Sequence, residues 1–242
     1  MTEPATALSG ELVTPELLRI PGGSFVMGDD TGRVDERPAH QVRLAPFRLA
    51  RCPVTNREYA CYLAAAEATP PRFWEDPRFN AALQPVVGVS WFEAIAYCDW
   101  LSRALGSRCR LPTEAEHEWA ALGGRERAVY PWGDEVPPLI GPWALGDGGQ
   151  DRPVPVSSAQ PNGYGLCHMQ DNVHEWCSDW YDAGYYGVSP DKNPRGPALG
   201  SRRSSRGGAW RHQYKFSRIA SRSSLDPAFQ YNDYGFRVAA DA

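Results

Sequence analysis

No run of about 18 apolar residues interrupts this sequence, so a membrane-spanning helix is not expected. The first residues, Met1-Thr-Glu-Pro-Ala, offer neither the basic start nor the apolar core of an export signal, and the reading is a cytoplasmic protein without membrane partners. A concentrated positive stripe is also missing. The formal net charge is −4 and the basic residues are scattered, which argues against nucleic acid, whose phosphate backbone calls for clustered Lys and Arg. Six cysteines (Cys52, Cys61, Cys98, Cys109, Cys167 and Cys177) form no CxxC pair, and at this length an apolar core forms without disulfides, so buried free thiols are expected.

What the chain does have is 23 glycines, 22 prolines and nine tryptophans in 242 residues. Gly and Pro interrupt regular elements while Trp supplies much buried area, so the expectation is ordered, loop-rich structure pinned by aromatic anchors. Residues 1 to 17 are small and polar and read as a tail; residues 18 to 242 read as one domain without repeat or linker. Leu18 to Gly28 suggests two short strands around Gly22-Gly23, and Gln41 to Leu49 alternates as a half-buried strand after a charged loop from Asp29 to His40. Three helices follow. Thr55 is a cap for the first, with Tyr59, Tyr62 and Leu63 on one face. Ser90 with Glu93, and Thr113 with Glu116, are capping-box pairs for the second and third. The second places Ile95, Cys98 and Leu101 to Leu105 on its apolar face, and the third ends at Gly123-Gly124. His40 is expected in a loop and His117 on a helix surface.

Eight motifs in fixed order then carry a family resemblance over about residues 18 to 240. They are Pro21-Gly-Gly-Ser-Phe-Val-Met-Gly28, Pro53-Val-Thr-Asn56, Pro85-Val-Val-Gly-Val-Ser-Trp91, Arg110-Leu-Pro-Thr-Glu-Ala-Glu116, Tyr130-Pro-Trp-Gly133, Asn172-Val-His-Glu-Trp176, Arg206-Gly-Gly-Ala-Trp210 and Gly235-Phe-Arg237. The chain resembles the formylglycine-generating-enzyme, or sulfatase-modifying-factor, family. The resemblance implies an α+β, irregular, C-type-lectin-like fold with few helices flanking short twisted antiparallel strands. Most motif residues then read as scaffold: Gly207-Gly208 for close backbone approach, and Arg110, Arg206 and Arg237 as multi-donor ties between loops.

The departures bear on chemistry. Family enzymes bind copper through two cysteines after the Gly-Gly pair and oxidise a substrate cysteine to formylglycine. Here the segment from Ala209 to Arg222 contains no thiol, and soft thiolates are what select monovalent copper, so copper is not expected. Of the positions resembling the family's disulfide cysteines (Cys98, Leu122, Ile219 and Val238) only Cys98 is a cysteine, in keeping with a reducing compartment. The resemblance also implies a structural calcium site at Glu175 and the backbone oxygens of Asp171 and Val173, with His168 in place of an oxygen ligand. Calcium prefers oxygen, so an alternative groups His168, His174 and Glu175, with Asp171, around a transition metal such as iron.

Two functions follow. In the first, a binding module without copper-dependent cysteine oxidation holds a peptide, protein or small-molecule ligand on a C-terminal surface of Trp210, Arg211, His212, Tyr214, Phe216, Phe229, Tyr231 and Tyr234. This region also resembles the variable segments of lectin-fold proteins diversified by retroelements. In the second, a metal-dependent oxidase or oxygenase works alone or with a partner enzyme subunit, with His212, Tyr214 and Tyr231 as its candidate catalytic groups. Sulfoxide synthases of ergothioneine biosynthesis resemble this fold in part, but take their iron-binding histidines from an additional helical domain for which these residues leave no room.

Overall fold

The computed structural model describes residues 12–135 and 151–242. Most of the expected tail therefore lies outside the described residues, but its last part is already folded: Glu16 O accepts from Arg51 N, and strand β1 begins at Leu17. Among the described residues, ten short strands and three helices follow the chain. They are β1 (Leu17–Ile20), β2 (Gly23–Met27), β3 (His40–Leu44), β4 (Phe47–Ala50), α1 (Asn56–Ala66), α2 (Trp91–Leu105), β5 (Cys109–Arg110), α3 (Glu114–Leu122), β6 (His174–Trp180), β7 (Arg203–Arg206), β8 (Ser223–Leu225), β9 (Tyr234–Gly235) and β10 (Ala239–Asp241).

The strands form a β1-β4-β10-β5 sheet, a β2-β3 hairpin and a β8-β7-β6-β9 sheet. All pairs are antiparallel except β6 with β9. The two strands around Gly22-Gly23 exist but do not pair with each other; β1 joins β4 and β2 joins β3. The strand expected from Gln41 to Leu49 is broken into β3 and β4 at Ala45-Pro46, since Pro has no N–H for a ladder. His40 opens β3 instead of closing the loop before it.

All three helices start where the sequence places them. Thr55 with Glu58, Ser90 with Glu93 and Thr113 with Glu116 each complete a reciprocal capping box, so two orphan N–H groups are satisfied at every start. Glu67, Gly106 and Gly123 end them in the left-handed conformation. The buried face of α2 differs from the aliphatic one expected. It consists of Ala94, Tyr97, Cys98, Trp100 and Leu101, while Leu105 is exposed. The reason is the neighbour: α2 packs into an aromatic core where Tyr97 stacks on Tyr59 at 5.5 Å and meets Phe236 edge-on at 5.3 Å.

Helix α3 departs further, because every residue except Trp119 is buried. It is wedged between the β2-β3 hairpin and the β6-β7 ladder. A helix covered on all sides has no solvent face, so His117 is wholly buried instead of exposed.

Gly28 joins the hairpin to this helix. Its φ is +89° and its N–H donates to Glu118 Oε1 at 2.8 Å, while an added Cβ would lie 2.4 Å from the Glu36 carbonyl oxygen. Gly28→Ala is expected to cost at least about 2 kcal/mol. A urea midpoint shift of less than half that size would show that the turn relaxes.

Candidate functional site

Below the C-terminal segment the structure is built on buried ion pairs. Arg237 donates from Nε to Glu175 Oε2 at 2.5 Å and from a terminal nitrogen to Oε1 at 2.6 Å. It also donates to the carbonyls of Ala50, Arg51, Cys167 and His168, tying three chain segments together. His117 Nε2 lies 3.0 Å from Glu175 Oε2. Burial pushes the Glu175 carboxyl up, but Arg237 and His117 outweigh it and hold it below its usual range. Burial, only partly countered by Glu175, lowers His117. Beside them Arg206 pairs with Glu118 and donates to the Ile219, Ala220 and Ser221 carbonyls, and Arg222 grips Glu114 with distances of 2.7 and 2.9 Å. These arginines are the ties expected of Arg206 and Arg237; Arg110 likewise forks onto Glu116. Gly207-Gly208 provides the close approach, since a Cβ on Gly208 would lie 2.8 Å from the Gln170 carbonyl oxygen.

Neighbouring side chains of a strand leave on opposite faces, so His174 and Glu175 of β6 serve different sites. His174 Nε2 is 2.9 Å from His212 Nδ1, and its ring lies 4.9 Å from that of Tyr234. Asp233 sits beside this pair because β9 runs parallel to β6, with the His174 N–H donating to the Asp233 carbonyl at 2.8 Å. Arg211 Nε donates to Asp233 Oδ2 at 2.8 Å, and His212 Nε2 lies 3.5 Å from the same oxygen. Oδ1 of Asp233 is buried and has no hydrogen-bond partner among the described residues. Burial is the largest influence on both imidazoles, taking His174 down to about 4 and lowering His212 as well. A cavity of about 170 Å³ opens here, lined by Arg33, His174, Gly207, His212, Phe216, Ser221, Arg222 and Ser223.

The eight residues expected to form a binding surface divide by burial. Trp210 and Tyr234 are core: the Trp210 indole packs against Phe79 and donates to the Asn232 carbonyl, and the Tyr234 hydroxyl meets Ser205 and Ser223. Tyr214, Phe216, Phe229 and Tyr231 are exposed, Arg211 is exposed and His212 is half-buried. Their rings form a continuous series, Phe216 to His212, His174, Tyr234, Tyr231 and Phe229, with successive centroids 4.9 to 6.3 Å apart.

Of the residues expected to share a metal, only His168 and Asp171 meet among the described residues. His168 is buried with Nδ1 2.9 Å from Asp171 Oδ2 and Nε2 3.4 Å from Ser158 Oγ, His174 turns to His212, and Glu175 turns to Arg237. With a guanidinium on both oxygens, Glu175 does not fit the calcium ligand carried over from the family, so the set of Asp171, Val173, Glu175 and His168 loses its one charged side chain aimed at the ion. No cysteine lines the cavity among the described residues. Cys52 and Cys167 adjoin each other, and burial pushes Cys52 up to about 12, with Arg237 opposing and Cys167 adding to the rise. Sequence reading missed Asp233, whose only signal was a carboxylate immediately before the Tyr-Gly-Phe-Arg motif.

The comparisons with known proteins agree with this architecture. The sulfatase-modifying factor enzyme 1-like domain profile matches residues 5–242. A formylglycine-generating enzyme of Streptomyces coelicolor is 34% identical over 286 aligned positions, covering 93% of this chain and 89% of the relative. The serine/threonine-protein kinase pkn1 of Chlamydia caviae is 35% identical over 93% of this chain, which spans only 38% of the kinase. Among solved structures, PvdO from Pseudomonas aeruginosa superposes with a TM-score of 0.84 at 29% identity, with both chains fully covered. The chain belongs to the sulfatase-modifying factor enzyme 1-like domain family, the family of the formylglycine-generating enzymes.

Proposed function

We propose that this chain is a peptide- or protein-recognition domain on a formylglycine-generating-enzyme scaffold, without copper-dependent cysteine oxidation. The observation that carries the reading is a set of four exposed aromatic side chains, one of which, Phe216, lines the cavity. Tyr214, Phe216, Phe229 and Tyr231 present rigid aromatic area to solvent while the buried ion pairs beneath them fix the backbone. At about 170 Å³ the cavity is smaller than the roughly 300 Å³ at which drug-sized ligand sites begin, and suits one inserted side chain of a longer partner. Two further observations support it. The thiol-free segment from Ala209 to Arg222 lacks the soft ligands for monovalent copper, and the chlamydial kinase carries a similar domain within a much longer chain.

Selection of a displayed random-peptide library on the purified protein tests this. Enriched peptides are expected to bind with at least a roughly tenfold loss for Phe229→Ala or Tyr231→Ala, both surface changes that leave the melting temperature in place. Equal binding by wild type and both variants, or conversion of a peptide cysteine to formylglycine in the presence of copper, would sink the reading. A second reading, oxidation at a non-copper metal centre with or without a partner subunit, is favoured by one observation, the grouping of His174, His212 and Asp233.

A further inference from the structure

The grouping of His174, His212 and Asp233 has a use that peptide recognition does not require. One ligand atom from each lies within 4.8 Å of the others. The nitrogens of the two imidazoles are 2.9 Å apart. That is about the separation of two cis ligands, each roughly 2.05 Å from a shared ion. The carboxylate is divided between two tasks. Oδ2 receives Arg211, while Oδ1 is buried with no hydrogen-bond partner among the described residues. A buried anionic oxygen left bare is costly unless something cationic takes it up. Arg211 then serves as the outer partner that orients a ligating carboxylate, as metal sites commonly arrange.

We propose that His174, His212 and the Asp233 carboxylate bind one divalent first-row transition-metal ion of the zinc, cobalt(II), nickel(II) or iron(II) type. Two imidazoles and one carboxylate suit these borderline cations. They suit calcium poorly, since it takes oxygen ligands, and monovalent copper poorly, since it is selected by thiolates. The three ligands come from three places: His174 from β6, His212 from the loop after Gly207-Gly208, and Asp233 from the residue preceding β9. His174 and His212 line the cavity, so a further ligand would enter from that side. An oxygen or nitrogen atom of a bound partner completes the coordination there. The site is distinct from the His168 and Asp171 pair, which is held by its own hydrogen bonds.

The test uses the full chain, stripped with chelator, dialysed and titrated calorimetrically with zinc, with cobalt(II) added separately to give a visible ligand-field spectrum. One equivalent is expected to bind with micromolar or tighter affinity. His212→Ala, on a half-exposed loop residue, is expected to weaken zinc at least 100-fold and abolish the cobalt spectrum at an unchanged melting temperature. His168→Ala is expected to bind both ions as wild type does. Absence of stoichiometric binding by either ion overturns the site, as does wild-type affinity in His212→Ala or loss of binding in His168→Ala. Peptide binding measured in chelator separates this result from the recognition reading, because either can fail while the other stands.

Discussion

Arg237→Met should unfold this protein or bring it close to unfolding. The substitution removes the guanidinium from both oxygens of Glu175 and strips a donor from the carbonyls of Ala50, Arg51, Cys167 and His168. Glu175 and His117 are both wholly buried, so water cannot replace what is lost. Removing one partner of a buried pair typically costs about 3–5 kcal/mol, a large part of the roughly 5–15 kcal/mol that holds a domain together. The denaturation midpoint in urea measures it. A second variant isolates the charge: Glu175→Gln in the Arg237→Met background takes away the stranded carboxylate and should recover part of the loss. A loss below about 1 kcal/mol in the single variant would place Arg237 with ordinary surface pairs and defeat the account.

A second large effect depends on pH. Asp179 is buried, its Oδ2 accepting from the Glu114 N–H at 3.0 Å and from Ser178 Oγ at 2.9 Å. Burial, with the Glu114 charge adding to it, raises its carboxyl from 3.8 to about 7. The folded state therefore keeps a proton that the unfolded chain releases near 3.8. From this group alone, stability is full below about pH 4, falls as pH rises toward 7, and levels off above it. Asp179→Asn keeps an oxygen for the Glu114 N–H and cannot ionise. Its advantage over wild type should widen by up to roughly 3 kcal/mol between about pH 5 and pH 8. Paired urea titrations at the two pH values read this difference while other titrations cancel. A gap that stays constant would mean that Asp179 is ionised throughout.

Local order was legible where a local rule governs it. The three capping boxes rest on residues three apart, and each was found with both hydrogen bonds in place. The arginine ties were legible as a residue type, although the sequence did not say that Arg222 would grip Glu114. His117 was misread because amphipathic reasoning assumes one wet face, and α3 has none. The candidate site was half legible. His174 and His212 were singled out separately, but His174 meets Asp233 through the parallel pairing of β6 with β9, and His212 reaches them from the loop after Gly207-Gly208, all segments far apart in the chain. Trp210 and Tyr234 were read as surface because aromatic composition is the same for an anchor and for a core, and only packing decides.

The place of β10 in the first sheet bears on how the molecule comes into being. Strand β4 is complete by Ala50 and β5 by Arg110, yet both pair with Ala239–Asp241. During synthesis the early half of the domain must wait, with two strand edges bare, until nearly all of the described chain has been made. Arg237, two residues before β10, then reaches back to the Ala50 and Arg51 carbonyls. The late strand and its arginine act as a latch, so a truncation there should leave a sticky, unclosed intermediate in place of a slightly shorter protein.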